Sequence, residues 1–284
     1  MRYLLLTVEF LDDRYHGLLD RRGPPEWPPS PFRLFSALVS GAARRGALDG
    51  DIGKALAWLQ SLGSPTIIAP ASKEASGFTR HVPNNDGDEK FDRQERLTGK
   101  QSIPTLMLTK AGARPQVHYF WQVSGRTDMP FEHIRDVARS LVALGWGVDM
   151  AFADARVVDE SDLEREPGVR WHPTQDVWRD YGMLRVPTGK QDIGASTLLD
   201  LKDCYESWIA RVEHGKPLHA AKEPNVYDEV FYASAERPIG HPYRVFELRD
   251  SSGDLFRYPH RKLIHIAGMV RHLAVALMKK DPPR

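Results

Sequence analysis

The sequence predicts an α+β fold, and three observations carry that prediction. The chain opens on an apolar, β-branched run, Tyr3–Phe10, that feeds an amphipathic helix. A second run rich in β-branched and aromatic residues, Val117–Val123, feeds another. Strand and helix patterns then alternate to residue 158. With 284 residues, 41% of them hydrophobic, the chain can hold one large domain or two small ones.

Taken in order, Tyr3–Phe10 reads as a buried strand, and Leu11–Pro29 as a loop rich in Asp, Arg, Gly and Pro. Ser30 is placed to cap a helix with Pro31 in its first position, where a missing N–H costs nothing. Phe35, Leu38, Val39 and Ala42 form that helix's apolar stripe, and Arg44, Arg45 and Gly46 close it. Asp51–Leu62 is a second amphipathic helix, and Thr66–Ala69 begins a strand. Residues 72–101 are polar, with six Lys/Arg against six acids. Segments this long without structure are uncommon in compact domains, so a protruding strand pair is expected, Phe78–Pro83 outward and Ile103–Leu108 returning. Val117–Val123, the helix Phe131–Leu144 and the strand Met150–Val158 follow. With the second helix and the excursion set aside as insertions, the order is β-α-β-β-α-β, the ferredoxin-like, RNA-recognition-type arrangement.

The pattern weakens from Asp159 to His241. Arg170–Pro173 and Leu184–Lys190 read as strand or loop pieces, and Thr197–Val212 as a helix capped by Ser196. The first domain is taken to end near residue 240. Beyond it, Tyr243–Leu248 and Leu255–Tyr258 form a hairpin around Asp250–Gly253, and Leu263–Met278 a closing helix.

The formal net charge of +1 creates no global field toward nucleic acid. From Arg261 to Arg284, however, six Lys/Arg stand against one acid, which suits either a polyanion contact or a solvated helix end. The single cysteine, Cys204, excludes an internal disulfide and fits a reducing cytosol. Glu9 breaks the first apolar run, so it reads as a strand and not a signal peptide, and no segment approaches the ~18 apolar residues of a membrane span. A cytoplasmic protein with no membrane partner is expected.

No phosphate-binding loop, dinucleotide fingerprint, HExxH zinc motif or GxSxG elbow occurs, and no two histidines stand four apart. Neither metal nor cofactor is expected. Metal-free RNA cleavage needs a general base and an acid; His16, His81, and the pair His265 and His272 on one helix face are the weak candidates, and none is assigned. Single-stranded RNA is held by basic side chains on phosphates and by aromatic or Arg planes on bases. The basic residues of 72–101 suit that role or a solvated loop. Trp146, between two glycines, suits a base stack or a core turn. Arg33, a cation in a helix's first turn, opposes the dipole and implies an anion, either a phosphate or a carboxylate such as Glu26.

The stretch EWPPSPFRLFSALV (Glu26–Val39) resembles the N-terminal signature of the fused Cas-five/Cas-six subunit of subtype I-U (I-G) CRISPR effectors. RHVPNN (Arg80–Asn85), VHYFW (Val117–Trp121), LGWGVDMAFADA (Leu144–Ala155) and RVP (Arg185–Pro187) agree with it. The resemblance implies a ferredoxin-like domain with a thumb-like hairpin at about residues 72–116. It implies a subunit that grips the 5′ handle of the guide RNA and caps a Cascade-type complex, beside backbone and large subunits and indirectly on target DNA. Arg33, Arg80, His81, Asn84 and Trp146 lie in matching motifs. Trp27, Arg44, Arg45, Lys90, Arg93, Arg96, Lys100, Arg185 and Lys190 complete the candidate RNA contacts. The family continues into a second, RNA-cleaving domain, of which residues 241–284 would be the beginning. The expected role is therefore RNA binding, with metal-independent processing of precursor RNA as the alternative.

Overall fold

The computed structural model describes residues 1–19, 23–78, 81–83, 97–99, 103–109, 114–123, 125, 129–174, 182–189, 196–213, 222–234, 249–255 and 263–280. The elements are β1 (Arg2–Phe10), β2 (Arg14–Tyr15), α1 (Pro31–Arg44), α2 (Gly50–Gln60), β3 (Thr66–Ala69), β4 (Ser72–Phe78), β5 (His81–Pro83), β6 (Leu97–Gly99), β7 (Ile103–Leu108), β8 (Gln116–Gln122), α3 (Phe131–Arg139), β9 (Ala151–Asp159), α4 (Glu160–Arg165), β10 (Val169–Thr174), β11 (Gly182–Val186), α5 (Thr197–Glu213), β12 (Asp228–Ser234) and α6 (Leu263–Lys280). No described helix is long and apolar enough to cross a membrane. The chain divides into a unit of residues 1–240 and a unit of residues 241–284.

In the first unit, seven strands form one antiparallel sheet in the order β11-β12-β10-β3-β8-β1-β9. The period of two along β1 explains its two faces. Leu4, Leu6, Val8 and Phe10 join the main core, while Leu5 points the other way into a small cluster with Ile68, Phe120 and Leu163. Helices α1, α2, α3 and α5 cover the first face, contributing Leu34, Phe35, Leu38, Leu56, Leu59, Ile134, Val137 and Leu198. The short helix α4 lies on the second, held there by Leu163.

Local chemistry sets the helix ends. Ser30 caps α1 by accepting from the Arg33 N–H at 3.2 Å. At the start of α5, Ser196 Oγ accepts from Leu199 N at 3.4 Å and the buried side-chain Oε1 of Gln60 accepts from Leu198 N at 3.0 Å, so α2 helps cap α5. The periodicity predicts α3 through Leu144, but the helix stops at Arg139. Ser140 Oγ donates to the Val137 carbonyl at 2.6 Å, and Gly41 of α1 comes so close that a Cβ there would stand 2.6 Å from the Ser140 carbonyl oxygen. Leu141 and Leu144 remain buried beyond the helix end, which is why the apolar period outlasts the helix.

Three strands join the sheet where the sequence signal is weak or absent. β10 pairs with β3 only through Val169–Trp171, so Pro173 meets no ladder partner on that side. β12, absent from the sequence reading, pairs with both β10 and β11. The excursion also differs from expectation: β4 begins at Ser72 and pairs with β7 from Ser72↔Leu108 to Phe78↔Ile103, with an irregularity between Ala75 and Phe78. Thr105, Leu106 and Leu108 are buried, which gives this part of the excursion the packing its composition does not advertise. β5 pairs with β6, not with β7. β2 extends the β4–β7 pair to three strands through Arg14↔Met107 and Tyr15↔Leu106. Residues 84–96 and 100–102, with most of the predicted loop cations, lie outside the described residues.

In the second unit, the expected turn is present. Asp250 Oδ1 accepts from Ser252 N at 2.9 Å and Asp254 N at 3.1 Å, Gly253 takes φ +87°, and Arg249 bridges Leu255. Most of the two predicted strands, at 243–248 and 256–258, lies outside the described residues. Along α6, Ile264, Met269 and Val270 are exposed.

On the second face of the sheet, His118 is 1% exposed. Its Nδ1 lies 3.0 Å from Thr7 Oγ1 and its Nε2 3.5 Å from Glu166. Burial lowers its pKa below the ordinary histidine value; Glu166 opposes that shift and Arg156 adds to it. The unfolded chain therefore takes up a proton that the folded chain resists. The stability tied to a neutral His118 is full above about pH 6.5 and is lost as pH falls toward the folded value. The melting temperature of wild type relative to His118→Gln is expected to shrink as pH drops below about 6.5. A difference that stays constant from neutral to acid pH contradicts this.

Candidate nucleic-acid interface

Four of the sequence-predicted residues, from separate parts of the chain, meet at one corner of the first unit around Tyr15. The Tyr15 ring is fully buried, stands edge-on to Trp27 with centroids 5.2 Å apart, and packs edge-on to Phe10 at 5.8 Å. The next residue, His16, is 5% exposed. Its Nδ1 lies 2.6 Å from Asp149 Oδ1, and its N–H donates to Asp149 Oδ2 at 3.3 Å. The same carboxylate accepts from Trp146 N at 2.6 Å and so closes the 145–149 turn. Burial raises the Asp149 pKa, against the stabilising hydrogen bonds from His16 and Trp146. Because β2 pairs with β7, this corner sits at the root of the β2–β7–β4 sheet.

Arg33 belongs to the same corner and answers the question its position poses. Its Nε donates to Glu26, which is 4% exposed, and its Nη2 donates to the Leu18 carbonyl at 2.5 Å. Burial works against the charge of Arg33, but Tyr15 and Glu26 outweigh it and its pKa is raised. The anion in front of the helix's first turn is thus the local carboxylate. Trp27 is likewise engaged within the fold: its indole N–H donates to the Pro70 carbonyl at 3.0 Å, so its ring pins the loop to the start of β4. His16, bound to a buried acid and shielded from solvent, is not placed to act on an RNA hydroxyl.

Other candidates fall elsewhere. Arg185 of β11 lies with its guanidinium 4.7 Å above the Tyr227 ring, and Tyr227 meets Phe32 of α1 at 5.1 Å. Glu229 is 4.0 Å from Arg185 Nε, a loose pair. This brings Arg185 to the N-terminal end of α1. Arg44 and Arg45 are exposed at the opposite end of that helix, roughly 17 Å away along its axis, and do not share the corner. Trp146 is half-buried. His265 and His272 are exposed on α6. Arg80, Asn84, Lys90, Arg93, Arg96, Lys100 and Lys190 lie outside the described residues, and of His81 only the backbone pairing with Gly99 is described. Among the described residues no group of three or more His, Cys, Asp or Glu is placed to hold a metal ion.

Sequence reasoning missed Phe32, Tyr227 and Asp149. Tyr227 precedes a strand with no recognised pattern, and a single Asp after a Gly-Trp-Gly turn announces nothing until the fold brings His16 to it.

No curated protein matches the chain. Among solved structures, a CRISPR protein from Archaeoglobus fulgidus is similar at 13% identity, covering 69% of this chain and 83% of its own, with a TM-score of 0.35, a likeness too loose to define the fold. The family model described as "CRISPR-associated protein, GSU0054 family" matches residues 5–279. The chain therefore belongs to the CRISPR-associated GSU0054 family.

Proposed function

We propose that this chain is an RNA-binding subunit of a CRISPR effector complex, of the fused Cas-five/Cas-six type I-U kind, that holds the 5′ handle of the guide RNA and caps the assembly. The observation that carries this reading is the strand order β3-β8-β1-β9 with its crossing helices, which fits the ferredoxin-like β-α-β-β-α-β pattern, together with the β4–β7 pair leaving it beside Tyr15. In this reading the β4–β7 pair is the base of the thumb, and Arg80, His81, Asn84, Lys90, Arg93, Arg96 and Lys100 are its RNA contacts. Trp146 and Arg185 add planar groups on the body, with Arg44, Arg45 and Lys190 as outlying phosphate contacts. Residues 241–284 belong to a second ferredoxin-like unit. Backbone and large subunits of the complex are its protein neighbours, and target DNA is met through them.

The alternative, a metal-independent endoribonuclease, gains nothing from the candidate histidines whose side chains are described: His16 is buried, and His265 and His272 stand on a single exposed helix. Incubated with RNA of the accompanying CRISPR repeat in EDTA, the protein is expected to retard the RNA on a native gel and leave it intact on a denaturing gel. A specific cut that one histidine substitution abolishes would overturn the binding-only reading.

A further inference from the structure

A groove of about 620 Å³ opens on the second face of the sheet, where α4 crosses it. Ligand sites commonly fall within about 300–1,000 Å³, ample for one nucleotide. Phe120 and Tyr3 form its apolar floor, with ring centroids 5.9 Å apart and an interplanar angle of 81°. Rings of this kind are surfaces on which unpaired bases stack.

The polar lining has two ends of opposite character. Glu160 and Glu164, one turn apart on α4, border the groove, with Glu160 beside Tyr3. Among the described residues Glu160 is paired only with the N-terminal ammonium at 4.0 Å, and Glu164 is exposed with no ion pair. Arg170 and His172 of β10 border the groove two strands beyond β8. Arg170 donates to the Leu163 carbonyl at 2.5 Å and has no carboxylate partner among the described residues. His172 Nδ1 lies 3.3 Å from Thr66 Oγ1. Leu163 and the Arg170 bond to its carbonyl hold α4 to the sheet, so the fold itself leaves the two glutamates with little to do.

Two carboxylates repel a phosphate backbone but accept from N–H groups, while an arginine seeks acceptors. Of the four RNA bases, guanine alone presents two adjacent donors, N1–H and N2–H₂, on one edge and two adjacent acceptors, O6 and N7, on another. Adenine and cytosine offer no ring N–H on the pairing edge, and uracil offers one, flanked by carbonyls. We infer that this groove is a pocket for an unpaired guanine of bound RNA, stacked on Tyr3 with Phe120 meeting it edge-on, with Glu160 and Glu164 on its donor edge and Arg170 on its acceptor edge. The inference rests on the RNA-binding reading above and adds a base preference to it.

The probes are U12 RNA and U12 carrying one central G, A, C or inosine, titrated by fluorescence anisotropy. The G-bearing strand is expected to bind about tenfold tighter than the A- or C-bearing strand, within the range for one bidentate base contact. Inosine, which lacks the N2 amine, should fall between. The double variant Glu160→Gln, Glu164→Gln should lose the preference while melting like wild type. Equal binding of all four bases by wild type overturns the guanine pocket and leaves the RNA-binding reading standing. A preference that survives the double variant overturns the role given to the glutamates. Failure of every strand to bind, while repeat RNA does bind, also overturns the pocket; failure with repeat RNA as well overturns both readings.

Discussion

Glu26→Ala is expected to destabilise the protein by about 3–5 kcal/mol, the usual result of removing one partner from a buried ion pair. Glu26 is 4% exposed and receives the Arg33 Nε, while the rest of the guanidinium is held by the Leu18 carbonyl. Without the carboxylate, a charge that burial already disfavours is left with one backbone acceptor. For a domain of this size the melting temperature should fall by on the order of 10 °C. Arg33→Lys should not rescue, because an ammonium cannot span both acceptors as the planar fork does. Replacing both partners with apolar residues of similar volume, Glu26→Leu with Arg33→Met, should recover much of the loss, since the pair's attraction is offset by its desolvation. The same residues separate a structural Arg33 from one that binds phosphate. A phosphate contact would lower the salt slope of RNA binding by about 0.7 on removal. Arg33→Met in the double variant should leave that slope unchanged, and a reduced slope would reinstate the phosphate.

Gly145→Ala should cost about 2–5 kcal/mol, the sum of backbone strain and overpacking. Gly145 has φ +126°, which residues with a Cβ rarely adopt, and an added Cβ would strike the Asp149 carboxylate and stand 2.9 Å from the Tyr15 ring. Asp149 is the shared acceptor for His16 and Trp146, so the substitution would loosen the turn and the corner together. Gly147, on the other side of Trp146, meets nothing within 4 Å and has no left-handed φ. Gly147→Ala should therefore be nearly neutral in a thermal melt. Equal effects from the two alanines would contradict this role of Gly145 in the turn.

The readable parts of this fold were those where local pattern and tertiary role coincide. β1, α1 and β8 show their buried faces in the periodicity of Leu4, Leu6, Leu38 and Tyr119, and Ser30 and Ser196 cap where they are expected to. β12 was not readable, because its place between β10 and β11 depends on partners distant in sequence. The end of α3 was hidden because Leu141 and Leu144 stay buried in non-helical backbone. At the corner, the motifs contain Trp27, Arg33 and Trp146, which the fold brings together around Tyr15, but they do not disclose the contacts each one makes. Glu26 was within reach of the reading as a neighbour of Arg33, whereas the Asp149–His16 contact joins positions 133 residues apart and exists only in the folded chain.

The most direct test of the account is the affinity for repeat RNA measured across a series of salt concentrations. A subunit that grips the handle through phosphates should lose affinity linearly in log salt, by about 0.7 of a log unit per log unit of salt for each phosphate contacted on a single strand. Arg44→Gln, which removes one of the proposed phosphate contacts, should make that slope shallower by about 0.7. Binding that is absent, or that does not change with salt, would contradict the account.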